Sequence, residues 1–126
     1  MQGKENYLIE TDILLDHLVS KEKESVLEKL MQRGVCFTTV INSAELFIAV
    51  KNELEKETVY KLLSSLKVLG LNSRYSLDVG DFSNQLTGIR DSLFAVVAKK
   101  NKLKIVSNNF NKFVKCSLEV INPKEI

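Results

Sequence analysis

The chain has 126 residues, of which 44% are hydrophobic, and it carries a net charge of +2 and a single proline. This length and composition suit one folded domain over residues 1–126 rather than a linker or a disordered tail. No apolar run is long enough to span a bilayer, and the N-terminus is too short and too polar for a signal peptide. We therefore expect an intracellular, cytoplasmic protein that makes no membrane contact.

Apolar patterns along the chain alternate between the spacing of strands and that of helices. Five segments are predicted as strands: Tyr7–Glu10, Val35–Thr38, Val68–Leu71, Lys104–Val106 and Leu118–Ile121. Six are predicted as helices: Ile13–Val19, Lys23–Arg33, Val40–Asn52, Lys56–Lys67, Ser92–Lys100 and, with a weaker pattern, Asp78–Thr87. Strands separated by helices predict a parallel sheet covered on both faces. Ligands of such sheets sit beyond the carboxyl ends of the strands.

Four acidic residues stand beside these apolar elements: Glu10, Asp12, Glu45 and Asp91. Glu10 and Asp12 follow the first strand, and both carboxylates point the same way if the backbone stays extended there. Glu45 lies near the apolar face of its helix, and Asp91 opens the last strongly apolar helix. Carboxylates gathered in one place repel one another unless a cation neutralises them. The pattern therefore predicts an oxygen-only site for Mg²⁺ or Mn²⁺.

Each of these residues also has an interpretation without a metal. Asp12 could cap the following helix, with Thr11 as a competing cap. Glu45 could extend from the edge of its apolar face into water. Asp91 would be favoured at a helix N-terminus by the helix dipole alone. The run Ser107–Asn109 after the fourth strand could be an ordinary turn.

Charge is distributed unevenly along the chain. Residues 1–57 hold 7 basic against 11 acidic side chains, whereas residues 99–126 hold 7 against 2. An acidic site beside a basic flank would suit a polyanion such as a nucleic acid. A solvated lysine-rich face explains the same lysines without any partner.

Three blocks, in order, resemble those of the PIN domain, and most closely the VapC-like toxin ribonucleases: YLIETDILLDHL, TTVINSAELFIAV and TGIRDSLFAVVAKKNKLKIVSNN. The resemblance covers nearly the whole chain. It implies an α/β fold with three α/β/α layers and a central, mostly parallel five-stranded sheet. It also implies Mg²⁺- or Mn²⁺-dependent hydrolysis of RNA phosphodiester bonds, a homodimer, and a cognate antitoxin that covers the site.

The resemblance assigns roles to individual residues. The implied catalytic residues are Glu10, Asp12, Glu45 and Asp91. The metal would be held by Asp91 together with Glu10 or Asp12, while Glu45 would orient or deprotonate a water. Ser107 and Asn109 would support the site, and Lys112 and Arg90 are candidate RNA contacts.

The chain departs from the family pattern at two places. Glu10 stands where the family usually has Asp, and the place of the fourth acid falls on Asn109 or, in another alignment, on Lys112. Neither side chain supplies a negative charge, so we expect weakened metal affinity. The alternative function is a catalytically weakened or inactive PIN-fold module that binds RNA or a protein. A signalling receiver domain would need a phosphoacceptor Asp after a middle strand, and the sequence instead has Glu45 inside a predicted helix.

Overall fold

A computed structural model of the chain describes residues 5–126. Its strands are β1 (Glu5–Ile9), β2 (Gly34–Thr39), β3 (Lys67–Leu69), β4 (Lys104–Val106) and β5 (Val120–Ile121). Its helices are α1 (Thr11–Val19), α2 (Val26–Arg33), α3 (Val40–Ala49), α4 (Glu53–Ser64), α5 (Ile89–Asn101) and α6 (Phe110–Val114). Three 3₁₀ turns cover Ser73–Leu77, Val79–Phe82 and Pro123–Glu125. Within this part of the chain no helix combines the length and apolarity needed to cross a membrane. Residues 1–4, on which the signal-peptide prediction partly depends, lie outside the described residues.

The five strands form one sheet in the order β3-β2-β1-β4-β5. Every neighbouring pair is parallel, with Tyr7 of β1 opposite Cys36 on one side and Lys104 on the other. The predicted parallel five-stranded sheet is confirmed. Because β1 is the central strand, the residues that follow it lie in the middle of the carboxyl edge.

Helices cover both faces of the sheet, which confirms the three-layer arrangement. Successive side chains of β1 point to opposite faces. Tyr7 and Ile9 belong to the core formed with α1, α2, α3 and α4, whereas Leu8 packs in a second core with Phe94 of α5 and Phe113 of α6. These two cores fix α3 and α5 on opposite sides of the carboxyl end of β1.

Two sequence predictions about helices were wrong. The segment predicted as a helix at Asp78–Thr87 contains the short 3₁₀ turn Val79–Phe82 and then a loop. Its buried side chains, Phe82 and Leu86, have helical spacing, but the glycine at position 80 and the Asp and Asn residues around it favour turns over a helix. Helix α6 was missed because its five residues carry too little periodicity to detect.

Gly34 ends α2 and also begins β2. Its backbone is extended, with a φ of −175°, so the glycine is not needed for a left-handed conformation. It is needed for space, because a Cβ at this position would overlap the carbonyl oxygen of Glu5 on β1. The close approach of the two backbones holds β2 against the central strand.

Candidate functional site

A cleft of about 440 Å³ opens at the carboxyl edge of the sheet. It is lined by Glu10, Thr11, Asp12, Leu15, Glu45, Arg90, Asp91, Asn109 and Lys112. The fold therefore brings together the four acids singled out in the sequence, both candidate RNA contacts and Asn109. Ser107 is fully buried beneath the cleft and does not line it.

The turn from β1 into α1 separates the side chains of Glu10 and Asp12. The strand ends at Ile9, and the helix already begins at Thr11. Glu10 is the residue that caps the helix, because its Oε1 accepts a hydrogen bond of 2.9 Å from the backbone N–H of Thr11. The backbone is not extended through Asp12, so the condition under which the two carboxylates would point the same way is not met, and neither of the alternative caps, Asp12 and Thr11, is the N-cap. The two carboxylates consequently have different neighbours.

Glu10 is buried, with 4% of its surface exposed, and it is compensated by a cation. Arg90 donates from Nη1 to Oε2 at 2.7 Å and from Nη2 to Oε1 at 2.5 Å. Asn42 donates a further hydrogen bond of 2.9 Å to Oε1. A buried carboxylate is tolerated when a charged partner and hydrogen bonds replace its lost hydration.

Arg90 binds more than one carboxylate. It lies in the first turn of α5, two residues after Gly88, whose positive φ of 86° sets the direction in which the helix starts. Its Nη2 donates to Glu45 Oε1 at 2.6 Å, its Nε donates to Glu45 Oε2 at 3.2 Å, and its Nη1 donates to Asp91 Oδ1 at 3.1 Å. All three guanidinium nitrogens are thus engaged with acids of the cleft.

These contacts shift the pKa values of the groups that make them. Burial alone would lower the pKa of Arg90, but hydrogen bonds to Glu10 and Glu45 raise it well above its usual value. Burial would likewise raise the pKa of Glu45, but hydrogen bonds from Arg90 and Thr11 outweigh it and hold that pKa below its usual value. Arg90 and Glu45 are therefore both charged at neutral pH.

Asp91 also pairs with a second basic side chain, that of Lys112. Its Oδ2 lies 3.2 Å from Nζ of Lys112, which projects from α6. Asn109, the residue just before α6, lines the cleft beside them. The two alternative positions of the family's fourth acid, Asn109 and Lys112, thus place an amide and an ammonium group at the cleft.

Asp12 turns instead toward the end of β4. Its Oδ2 accepts hydrogen bonds from the backbone N–H of Asn108 at 3.0 Å and from Ser107 Oγ at 3.3 Å. Its Oδ1 is buried and has no hydrogen-bond partner among the described residues. Burial and the negative charge of Glu10 raise the pKa of Asp12 above its usual value.

Asn42 is a site residue that the sequence analysis did not identify. It is fully buried in the first turn of α3, where it forms a capping box with Thr39. Its Nδ2 donates to Glu10 Oε1 and also to Thr11 Oγ1, at 2.8 Å, and Thr11 Oγ1 in turn donates to Glu45 Oε1 at 2.6 Å. The pattern Thr-x-x-Asn at the start of α3 was the available signal.

The cleft fits a divalent cation in the chemistry of its donors but not in their arrangement. Four carboxylates with no His or Cys are suited to a hard ion such as Mg²⁺, and the unpartnered Oδ1 of Asp12 is suited to a cation. Yet within residues 5–126 no group of three or more His, Cys, Asp or Glu side chains is arranged to hold a metal ion. Arg90 lies among the carboxylates where an ion would have to bind.

The chain belongs to the PIN domain family, since the family model matches residues 7–115. The resemblance found in the sequence is confirmed at the level of the family. A search of curated proteins by sequence found no match.

Solved structures with the same fold come from toxin–antitoxin complexes. DNA-bound VapBC from Salmonella typhimurium matches with a TM-score of 0.79 and 17% identity, over 94% of this chain and 98% of that one. VapBC2 from Rickettsia felis, bound to a promoter DNA fragment, gives 0.78 and 21%, over 92% and 97%. A toxin–antitoxin complex from Klebsiella pneumoniae gives 0.77 and 15%, over 95% and 99%. At these identities the similarity establishes the shared fold.

Proposed function

We propose that the protein is a metal-dependent endoribonuclease that hydrolyses RNA phosphodiester bonds, and that it is the toxin of a toxin–antitoxin pair. The observation that carries this proposal is the convergence of Glu10, Asp12, Glu45 and Asp91 in one cleft of a PIN domain. The sheet edge that gathers them is the edge where parallel α/β folds bind ligands. The basic flank of the chain supports a polyanionic substrate.

In this proposal Mg²⁺ or Mn²⁺ is held by Asp91 together with Glu10 or Asp12. The bound ion would polarise a phosphate oxygen and lower the pKa of a water. Glu45 would orient the water that attacks phosphorus or accept its proton, because a Glu carboxylate is ionised at neutral pH. The free Oδ1 makes Asp12 the better of the two candidate partners of Asp91.

The other residues of the cleft position the RNA and the acids. Lys112 and Arg90 are candidate contacts for RNA phosphates, because guanidinium and ammonium groups bind phosphate oxygens well. Ser107 supports Asp12 through its hydroxyl, and Asn109 offers an amide at the rim of the cleft. The whole chain acts as one PIN-like domain over residues 1–126.

The partners follow from the toxin–antitoxin proposal. Structural neighbours of this chain come from complexes that contain an antitoxin, which supports a cognate antitoxin here as well. A homodimer and a cytoplasmic location belong to the same proposal.

The test is cleavage of a structured RNA by the purified chain in Mg²⁺, in Mn²⁺ and in EDTA. The wild type is expected to cleave only with metal, and Asp91→Asn is expected to lose cleavage. Asp81→Asn is the matched control, because Asp81 is exposed, pairs with Lys99 and lies outside the cleft. Cleavage that survives in EDTA, or in Asp91→Asn, would overturn the proposal.

A second candidate function is an inactive PIN-fold module that binds RNA or a protein. Two observations favour it. Arg90 lies among the carboxylates of the cleft and contacts Glu10, Glu45 and Asp91. Lys112 forms an ion pair with Asp91. This module would bind its partner equally well with and without metal. RNA bound without turnover, by protein verified as folded, would favour it over the nuclease.

A further inference from the structure

We propose that Arg90 is an internal counter-ion that competes with the divalent cation for the carboxylates of the cleft, assisted by Lys112. The inference rests on the proposed function in one respect, because it takes the cleft to be a metal site. It goes beyond that function because it assigns the weak metal affinity expected of the cleft to the side chain of Arg90. The missing fourth acid is then only part of the reason to expect weak metal affinity.

The geometry leaves little of the acidic cluster free for an ion. Both oxygens of Glu10 and both oxygens of Glu45 accept hydrogen bonds from the Arg90 guanidinium. One oxygen of Asp91 contacts Arg90 and the other contacts Lys112. An ion that gains Glu10, Glu45 or Asp91 as a ligand must therefore break ion pairs, whereas Asp12 Oδ1 offers a ligand without that cost.

The guanidinium is also held in place by its surroundings. It stacks over the ring of Phe94, one turn further along α5, with its central carbon 5.4 Å from the ring centroid. Its partner Glu10 is almost fully buried and would be left as an uncompensated charge if Arg90 withdrew. Both features stabilise the closed arrangement relative to one in which the carboxylates face a metal.

Electrostatics gives the direction of the effect. A guanidinium a few ångströms from an ion site repels a divalent cation and occupies its ligands at the same time. Removing Arg90 therefore strengthens metal binding, although Arg90 is also a stabilising partner of Glu10. A purely structural arginine would have the opposite effect, since loss of its support would loosen the ligands and weaken binding.

The experiment is Mn²⁺ binding to the full chain without RNA, measured by titration of the free-ion electron paramagnetic resonance signal. Arg90→Gln is expected to bind Mn²⁺ more than about tenfold tighter than the wild type. Lys112→Gln is expected to give a smaller gain. Arg74→Gln is the charge-matched control, because Arg74 is exposed and lies outside the cleft, and its affinity is expected to equal that of the wild type.

A second measurement covers the case in which Arg90→Gln is unstable. Mn²⁺ raises the melting temperature of a protein when it binds the folded state. The increase in melting temperature on adding Mn²⁺ is therefore expected to be larger for Arg90→Gln than for the wild type. If Arg90→Gln is unfolded without metal, Mn²⁺ is expected to refold it. If it is unfolded under all conditions, Lys112→Gln decides by its affinity.

Unchanged or weaker Mn²⁺ affinity in a folded Arg90→Gln would overturn the inference, as would unchanged affinity in Lys112→Gln when it is the deciding variant. Failure of the proposed function has a different signature. Tight Mn²⁺ binding by Arg90→Gln without RNA cleavage by any variant would uphold the inference and reject the nuclease. Metal-dependent cleavage by the wild type with unchanged Mn²⁺ affinity in Arg90→Gln would do the reverse.

Discussion

The two acids that follow β1 are separated by one residue, yet their environments differ sharply. Glu10 is neutralised by a guanidinium and is further hydrogen-bonded by Asn42. Asp12 has a buried oxygen with no partner among the described residues and a raised pKa. The difference shows that one cleft can contain both a carboxylate paired with an arginine and a carboxylate hydrogen-bonded only by neutral groups among the described residues.

The cause is the early start of α1. Because the helix begins at Thr11, Glu10 faces α3 and α5, whereas Asp12 faces the end of β4. Arg90 therefore contacts the Glu10 carboxylate and not that of Asp12. Charge compensation in this cleft is thus set by backbone geometry over three residues.

The largest change in the free energy of unfolding is expected from Arg90→Gln in EDTA. It leaves the buried carboxylate of Glu10 without its cation, which should lower the free energy of unfolding by about 2–4 kcal/mol, less than for a fully buried pair because Arg90 is half-buried. Urea unfolding followed by circular dichroism measures it. Arg74→Gln should stay within about 0.5 kcal/mol of the wild type. Equal stability of the two variants would show that Glu10 does not depend on Arg90.

A smaller effect is expected from Asn42→Ala. The substitution removes hydrogen bonds to Glu10 and Thr11 and breaks the capping box with Thr39. Loss of bonds to buried polar groups should lower the free energy of unfolding by about 1–3 kcal/mol. Asn6→Ala, at an exposed position of β1, is the control and should change it by less than about 0.5 kcal/mol. Equal effects of the two variants would show that Asn42 does not help to stabilise the buried Glu10 carboxylate.

The smallest effect, of opposite sign, is expected from Asp12→Asn. An acid with a raised pKa in the folded state lowers stability as pH rises from its unfolded pKa, about 3.9, through its folded pKa. Asparagine removes that cost, so the variant should be about 0.5–1 kcal/mol more stable at pH 7 in EDTA. The gain should vanish below pH about 4. Urea unfolding at both pH values measures it, and a gain that persists in acid would exclude ionisation of Asp12 as its cause.

Much of the fold could be predicted from the sequence. The apolar runs around Leu8 and Ile105 and the helical patterns of α3 and α5 indicated a parallel sheet with two helical layers. That arrangement was enough to predict that Glu10, Glu45 and Asp91 meet at one edge. The segment after Asp78 was mispredicted because two buried side chains at helical spacing also fit a tight turn.

The charge balance of the cleft could not be predicted in the same way. Arg90 was identified only as a candidate RNA contact ahead of the predicted helix Ser92–Lys100, and the direction of its side chain depends on how α5 packs against β1. Lys112 meets Asp91 only because α6 follows β4 closely, and α6 was too short to be detected. Side-chain direction at an element boundary depends on tertiary packing, which periodicity does not encode.

A double-mutant cycle measures whether Arg90 neutralises the Glu10 carboxylate inside the cleft. Urea unfolding in EDTA would be measured for the wild type, Arg90→Gln, Glu10→Gln and the double variant. If Arg90 neutralises Glu10, the coupling is at least about 1.5 kcal/mol, and the double variant is less destabilised than the two single changes together. Additivity within about 0.5 kcal/mol would contradict it, because the two charges would then be independent.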